Sequence, residues 1–433
     1  MLISTLTVAS LSTSIASMTL ATTSDAPHII THSMPAATGF APSAGERAFS
    51  VSGVWCNVGG ATAVWNPSTP NHPVTATNLY RVEGGVLEHL GASWAHHHIC
   101  ALERAQCMTC TPSGTGCTSQ LGVGCSTTSS ASFLGQQASL APRSQVNAAT
   151  GVPTFPFSAP AASGSLARRC RVPVSEFDPA QHAGAAFAFE TVTLHPSNGV
   201  ANDLCVTRPI TAASLNGNPI FSGPGLDGTT AVEWWKSLQP DVDLVTVDTP
   251  DDGRVLVAAT VLPLGDGLWR YVYAIENLDS HEAIRGIAVP LDGATSTFVT
   301  QRFPLAHSGE VTSNDPWTVS VDTSVRWSGQ SVARNPNANA VRWGTTYTVT
   351  FIADRPPADR AITLTRFLSD TTFTVALAAP TGPDLNDDGS VNAADLAILL
   401  GGWGRCGGCA GDFDADGVID ATDLSILLGA WDD

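Results

Sequence analysis

The run Asp384-Leu-Asn-Asp-Asp-Gly-Ser-Val-Asn-Ala-Ala-Asp395 returns 28 residues later as Asp412-Phe-Asp-Ala-Asp-Gly-Val-Ile-Asp-Ala-Thr-Asp423. An internal repeat of this kind constrains a fold more than any composition does, because the two copies must adopt one local structure. Oxygen-bearing side chains stand at positions 1, 3 and 5 of each copy: Asp384, Asn386 and Asp388, then Asp412, Asp414 and Asp416. Position 6 is glycine in both (Gly389 and Gly417), where the chain must turn sharply. Position 7 offers a backbone carbonyl from Ser390 or Val418, position 9 is Asn392 or Asp420, and position 12 is Asp395 or Asp423. A hard cation with six to eight oxygen ligands suits this spacing, so two calcium ions are expected.

An apolar helix follows each loop. Leu396, Ile398, Leu399, Leu400 and Trp403 match Leu424, Ile426, Leu427, Leu428 and Trp431. No helix fits before Asp384, because Pro380 and Pro383 intervene. Val391 and Ile419, at position 8, are expected to pair the two loops across a short strand. These loop-helix repeats, residues 384–433, resemble the type I dockerin. In that family the module plugs polysaccharide-degrading enzymes into cohesin-bearing scaffolds. The resemblance implies a cohesin-like partner domain, chosen in part by positions 10 and 11, here Ala393-Ala394 and Ala421-Thr422. The linker Gly404-Arg-Cys-Gly-Gly-Cys409 and the Leu-Leu-Gly-x-Trp endings depart from the family pattern.

Charge is concentrated in this segment. Residues 384–433 hold 11 Asp, no Glu and one Arg, in a chain whose net charge is −18. That balance argues against nucleic acid, which needs a basic stripe. No apolar run reaches the length of a membrane span. The first 21 residues are mildly apolar and uncharged, and Thr19-Leu20-Ala21 offers a cleavage site, so residues 1–21 read as an export signal lacking the usual basic start. Ten cysteines, Cys56, Cys100, Cys107, Cys110, Cys117, Cys125, Cys170, Cys205, Cys406 and Cys409, are an even number. In an exported protein they form a disulfide framework whose pairing the sequence leaves open. A secreted or cell-surface location follows.

Between the ends, the chain reads as mainly β. Residues 22–45 are rich in Ser, Ala, Thr and Pro and are expected to form a flexible lead-in. Residues 46–167 read as short strands and loops stapled by disulfides. Residues 168–378 carry many short strands separated by turn signals, as in a sandwich. Leu268–Glu276 alternates Trp269, Tyr271, Tyr273 and Ile275 on one face with Arg270, Val272, Ala274 and Glu276 on the other. Ala231–Leu238 reads as a short helix, and residues 379–383 as a Pro/Gly hinge. The expected fold class is thus a disulfide-stapled, sandwich-like β body plus a small α-helical calcium module.

The chemistry of the body is less legible. His96, His97 and His98, followed by Cys107-x-x-Cys110, could hold zinc or copper, although adjacent strand histidines point to opposite faces. A hydrolase of polysaccharides would need two carboxylates across a cleft. Glu190, Glu233, Glu276 and Glu310 are the candidates, each equally readable as an exposed strand or loop residue. Trp234, Trp235, Trp269 and Tyr271 read either as a sugar-binding platform or as core. No catalytic residue can be assigned. The body also resembles, in patches across residues 50–367, an uncharacterised family of exported planctomycete proteins. The patches include Asn78-Leu-Tyr-Arg81, Ala141-Pro-Arg-Ser-Gln-Val-Asn147 and Asn337-Ala-Asn-Ala-Val-Arg-Trp-Gly344. Two functions are therefore expected as alternatives, with a His/Cys metalloprotein built on His96–His98 as a weaker third. One is a non-catalytic part of an extracellular assembly, docked through its C-terminal module and contacting polysaccharide. The other is a polysaccharide hydrolase held in a complex by the same module.

Overall fold

The structure is a computed structural model that describes residues 25–178, 180–198, 205–304, 310–386, 390–406, 409–414 and 416–431. The proposed export signal, residues 1–21, lies outside the described residues, as do Asp388 and Gly389 of the first loop. The chain is a β-rich body followed by a small helical module. No described helix is long and apolar enough to cross a membrane.

The body has two halves. A seven-stranded sheet dominates the first, centred on Val74–Glu83 paired antiparallel with Ala186–Leu194. That pairing joins strands from both sides of residue 168, so the expected division there is not a structural boundary. The second half is a sandwich of two five-stranded antiparallel sheets. One contains Asp243–Thr249, Gly253–Gly265, Leu268–Asn277, Thr345–Ala353 and Ser296–Arg302. The other contains Thr318–Val321, Ser324–Ser328, Ile284–Pro290, Pro357–Arg366 and Thr372–Pro380.

The strand Leu268–Asn277 shows how the halves are joined. Trp269, Tyr271, Tyr273 and Ile275 enter the sandwich core beside Trp327 and Phe351. The opposite face, where the alternation places Val272 and Ala274, packs with Val74, Val192, Trp234 and Trp235 of the first half and its helix. The strand is therefore covered on both faces, and its second face is a joint between halves and not a solvent surface. Trp234, Trp235, Trp269 and Tyr271 are all core residues, so none offers a ring to a sugar.

Two expectations for the connecting segments are corrected. The lead-in 22–45 contains strands: Ile29–Ser33 pairs with Gly53–Asn57, and Ala37–Gly39 pairs with Glu46–Val51. Buried Ile29 and Met34 supply the apolar anchors that its Ser/Thr/Ala composition masked. The hinge 379–383 is also tied down. The last strand runs to Pro380, Thr381 N donates to Pro356 O at 2.9 Å, and Gly382 N donates to Asp292 Oδ2 at 2.8 Å.

Cys56–Cys107 ties the loop-rich segment to the strand Gly53–Asn57, Cys100–Cys117 and Cys110–Cys125 close loops within that segment, and a fourth disulfide joins Cys406 to Cys409. Cys170 and Cys205 do not belong to this framework, contrary to expectation. Each is buried in a different core cluster, Cys170 with Phe49 and Phe189, Cys205 with Val192 and Ala231. Burial pushes the Cys170 thiol up to about 12. Since the thiolate is the reacting species, alkylation at mildly alkaline pH is expected to leave Cys170 unlabelled until denaturant is added. Mass spectrometry of tryptic peptides checks this, and rapid native labelling would contradict its burial.

Candidate metal centre

Each C-terminal helix begins at a residue of the repeat. Asn392 caps Ala393–Gly401 and Asp420 caps Ala421–Gly429, each accepting from the backbone N–H two residues on, at 2.8 and 2.7 Å. The capping box is completed by Asp395 and Asp423, whose Oδ2 atoms accept from Asn392 N and Asp420 N, both at 2.8 Å. Their Oδ1 atoms reach back to the loop entrance. Asp395 accepts from Leu385 N at 2.7 Å and Asn386 N at 3.1 Å. Asp423 accepts from Phe413 N at 2.6 Å and Asp414 N at 3.4 Å. Both carboxylates are fully buried. The position-12 residues thus close each loop onto its own helix, a role that the Asn/Asp-x-x-Asp spacing could have signalled.

The second loop gathers its acids. Ligand atoms of Asp412, Asp414 and Asp416 all lie within 4.8 Å of one another. Asp412 Oδ2 accepts from Gly417 N at 3.0 Å, while its buried Oδ1 has no hydrogen-bond partner. Gly417 sits at φ +85°, a conformation that explains glycine at position 6. Burial, reinforced by the neighbouring aspartates, raises the carboxyls of both Asp412 and Asp414 above the ordinary range. Such a cluster of like charges, with one buried oxygen unsatisfied, fits a divalent cation with oxygen ligands. Asp412, Asp414, Asp416, the Val418 carbonyl, Asp420 and Asp423 would hold it. In the first loop Asp384, Asn386, Ser390, Asn392 and Asp395 occupy the matching positions; Asp388 lies outside the described residues.

Among the described residues the expected strand pairing between the two loops is not seen. Val418–Ile419 pairs instead with Gly404–Arg405 of the linker, and Cys406 N donates to Gly417 O at 2.9 Å. Val391 and Ile419 still meet through their side chains, in a core with Leu399, Cys406, Phe413 and Leu427. Ala393, Ala394, Ala421 and Thr422 are exposed in the first turns of the helices.

No family model matches this chain, and no curated protein matches it.

The body's constellations resolve differently. His96, His97 and His98 are all buried. His97 Nδ1 meets His72 Nε2 at 2.9 Å, whereas His98 Nε2 meets Thr75 Oγ1 at 2.9 Å. The three rings therefore do not converge on one point. Among the described residues, the other trio of clustered ligand atoms is His32, Cys56 and Cys107, whose sulfurs are joined in a disulfide.

Glu190 and Glu276 do come together, but in the interior. Ala231 N donates to Glu190 Oε1 and Val232 N to Glu276 Oε2, each at 2.9 Å, so both cap the helix Ala231–Leu238. Asn78 Nδ2 donates to Glu190 Oε2 at 2.8 Å and Tyr80 Oη at 3.1 Å. Burial first, then the charge and hydrogen bond of Glu190, hold the Glu276 carboxyl well above its usual range, so it keeps its proton. The reading of these glutamates as exposed is overturned: the helix N-terminus sits at the joint between halves and needs acceptors there. Glu233 completes that helix's capping box. Glu310 accepts from Arg143 N at 3.1 Å and from the Ser144 hydroxyl, at the edge of a cavity described below.

Proposed function

We propose that the C-terminal module folds around two calcium ions and docks the β body onto a cohesin-like domain in an extracellular or cell-surface assembly. The observation that carries this reading is the convergence of Asp412, Asp414 and Asp416 in a loop whose twin closes by the same hydrogen bonds. Calcium supplies the positive charge that lets such loops stay closed, and its binding energy becomes folding energy. Ala393, Ala394, Ala421 and Thr422 form the docking positions. Four disulfides favour an oxidising compartment.

Calorimetric titration of the chelator-treated full chain is expected to show two calcium ions bound, and Asp412→Ala to leave one. In excess EDTA, backbone amides of residues 390–431 should lose hydrogen-exchange protection while those of Leu268–Asn277 keep theirs. Unchanged protection without calcium would end the proposal. Replacing Ala393 and Ala421 by Arg should abolish binding to a recombinant type I cohesin and leave calcium uptake intact. A cohesin that binds neither form would remove the docking half of the reading.

A further inference from the structure

The joint between the halves of the body encloses a cavity of about 150 Å³. One wall comes from the first half and is fixed by Arg143. This buried guanidinium is spent on protein acceptors: Nε on Ser93 O at 2.7 Å, Nη1 on Gly344 O at 2.7 Å and Nη2 on Asn78 Oδ1 at 2.8 Å. Its backbone carbonyl accepts from Trp343 Nε1 at 3.0 Å, locking the indole of the opposite wall. Gly344 permits this closeness, since a Cβ there would lie 2.9 Å from Arg143 Nη1 and the residue sits at φ +65°. Arg143 and Trp343 are thus fixed in place and cannot collapse into the cavity.

Arg342, on the second wall, is different. Its Nη2 donates to Pro336 O at 3.3 Å and Ala338 O at 3.2 Å, and its plane rests 4.7 Å from the Phe367 ring centre. Among the described residues it has no ion pair; its Nε is buried without a hydrogen-bond partner, and Nη1 carries the donors left for a ligand. Glu310 is the lone carboxylate among the described lining residues, and its oxygens are taken by Arg143 N and Ser144. Two guanidiniums, Arg143 and Arg342, against one carboxylate, Glu310, give the described lining residues an excess of positive charge that stands out in a chain of net charge −18. Ala283, Ala340 and Leu368 add apolar lining. A void of about 150 Å³ is the size that admits one benzene ring.

We propose that this cavity binds a small six-membered-ring carboxylate, the acid paired with Arg342 and the ring held between the apolar lining residues. The site is independent of the calcium module and lies where ligand pockets commonly form, between two packed units. A carboxylate accepts charge-assisted hydrogen bonds from a guanidinium, so recognition depends on the acid group. A sugar acid and an aromatic acid share this chemistry, and the test separates them.

The full-length protein, in calcium, is titrated calorimetrically with D-galacturonate and with 4-hydroxybenzoate. Galactose and phenol serve as neutral controls. One equivalent of either acid is expected to bind, with each neutral partner at least about tenfold weaker. Binding of the uronate alone assigns a sugar acid, of the benzoate alone an aromatic acid, and of both a general ring-acid pocket. Arg342→Gln should lose about tenfold or more in affinity. Leu368→Trp, at an exposed rim position, should block the cavity with the charge still in place, and both variants are checked for folding by circular dichroism. The proposal is overturned if neither acid binds at about 1 mM, if the neutral rings bind as tightly, or if affinity survives either folded variant.

Discussion

Acidification from about pH 6.5 to about pH 4 is expected to destabilise the first half of the body, by about 1.4 kcal/mol per pH unit for each buried histidine. Burial lowers His96 and His97 to about 3 and His195 to about 4, with neighbouring histidines adding repulsion. An unfolded histidine takes its proton near pH 6.5. Between that value and the folded one, the unfolded chain binds more protons, so stability falls as pH falls. Three such groups give a combined slope of about 4 kcal/mol per unit, enough to consume a typical folding free energy within a few pH units. His72 and His98 are lowered too and steepen the slope. Calcium loss at acid pH acts on the module, so the test must single out the histidines. Urea unfolding of wild type and His96→Phe is compared at several pH values. The ring of His96 already packs edge-on against Phe133 at 5.2 Å, so an aromatic replacement keeps the contact. The variant's slope should be shallower by about 1.4 kcal/mol per unit. Equal slopes would mean that His96 is not buried as a neutral ring.

The fold class was readable because its signals are local. Alternation in Leu268–Asn277 and turn residues at short spacing required β structure, and the repeat with its glycine at position 6 announced two matching loop-helix units. What the sequence hid depends on long-range packing. The second face of Leu268–Asn277 carries Arg270 and Glu276, so it read as half polar, yet it is covered by the first half of the body. Cys170 and Cys205 read like the other cysteines, because nothing local distinguishes a thiol in a core from one facing a partner. The position-12 aspartates were assigned to metal binding alone, although their spacing from Asn392 and Asp420 also fits a capping box. The cavity at Arg342 had no sequence signal. It arises where Arg143 and Arg342, distant in sequence, meet across the joint.

Replacing Glu190 by alanine is expected to cost about 1–3 kcal/mol, the range for leaving buried hydrogen-bonding groups without a partner. Ala231 N would keep only its 3.4 Å contact with Glu276 Oε1, Asn78 Nδ2 only Gly344 O, Tyr80 Oη only Thr346 Oγ1, and the proton of Glu276 would lose its acceptor. Glu276→Gln should behave in the opposite way. A glutamine can donate to Glu190 and accept from Val232 N, so it reproduces the protonated acid without being able to ionise. The sign follows from the raised value of Glu276. Its contribution is complete below the unfolded carboxyl range, near 4.3, and is lost as pH rises, because the unfolded chain releases the proton that the folded chain retains. The facing groups, Glu190, Glu233, Tyr80 and, beyond Asn78, Arg143, stay in place in this variant. Wild type and Glu276→Gln should therefore unfold alike in mild acid, with the variant gaining as pH rises toward neutrality and above. Thermal unfolding across that range measures the gap between the two curves. A gap that does not widen with pH would show that Glu276 is ionised in the folded protein.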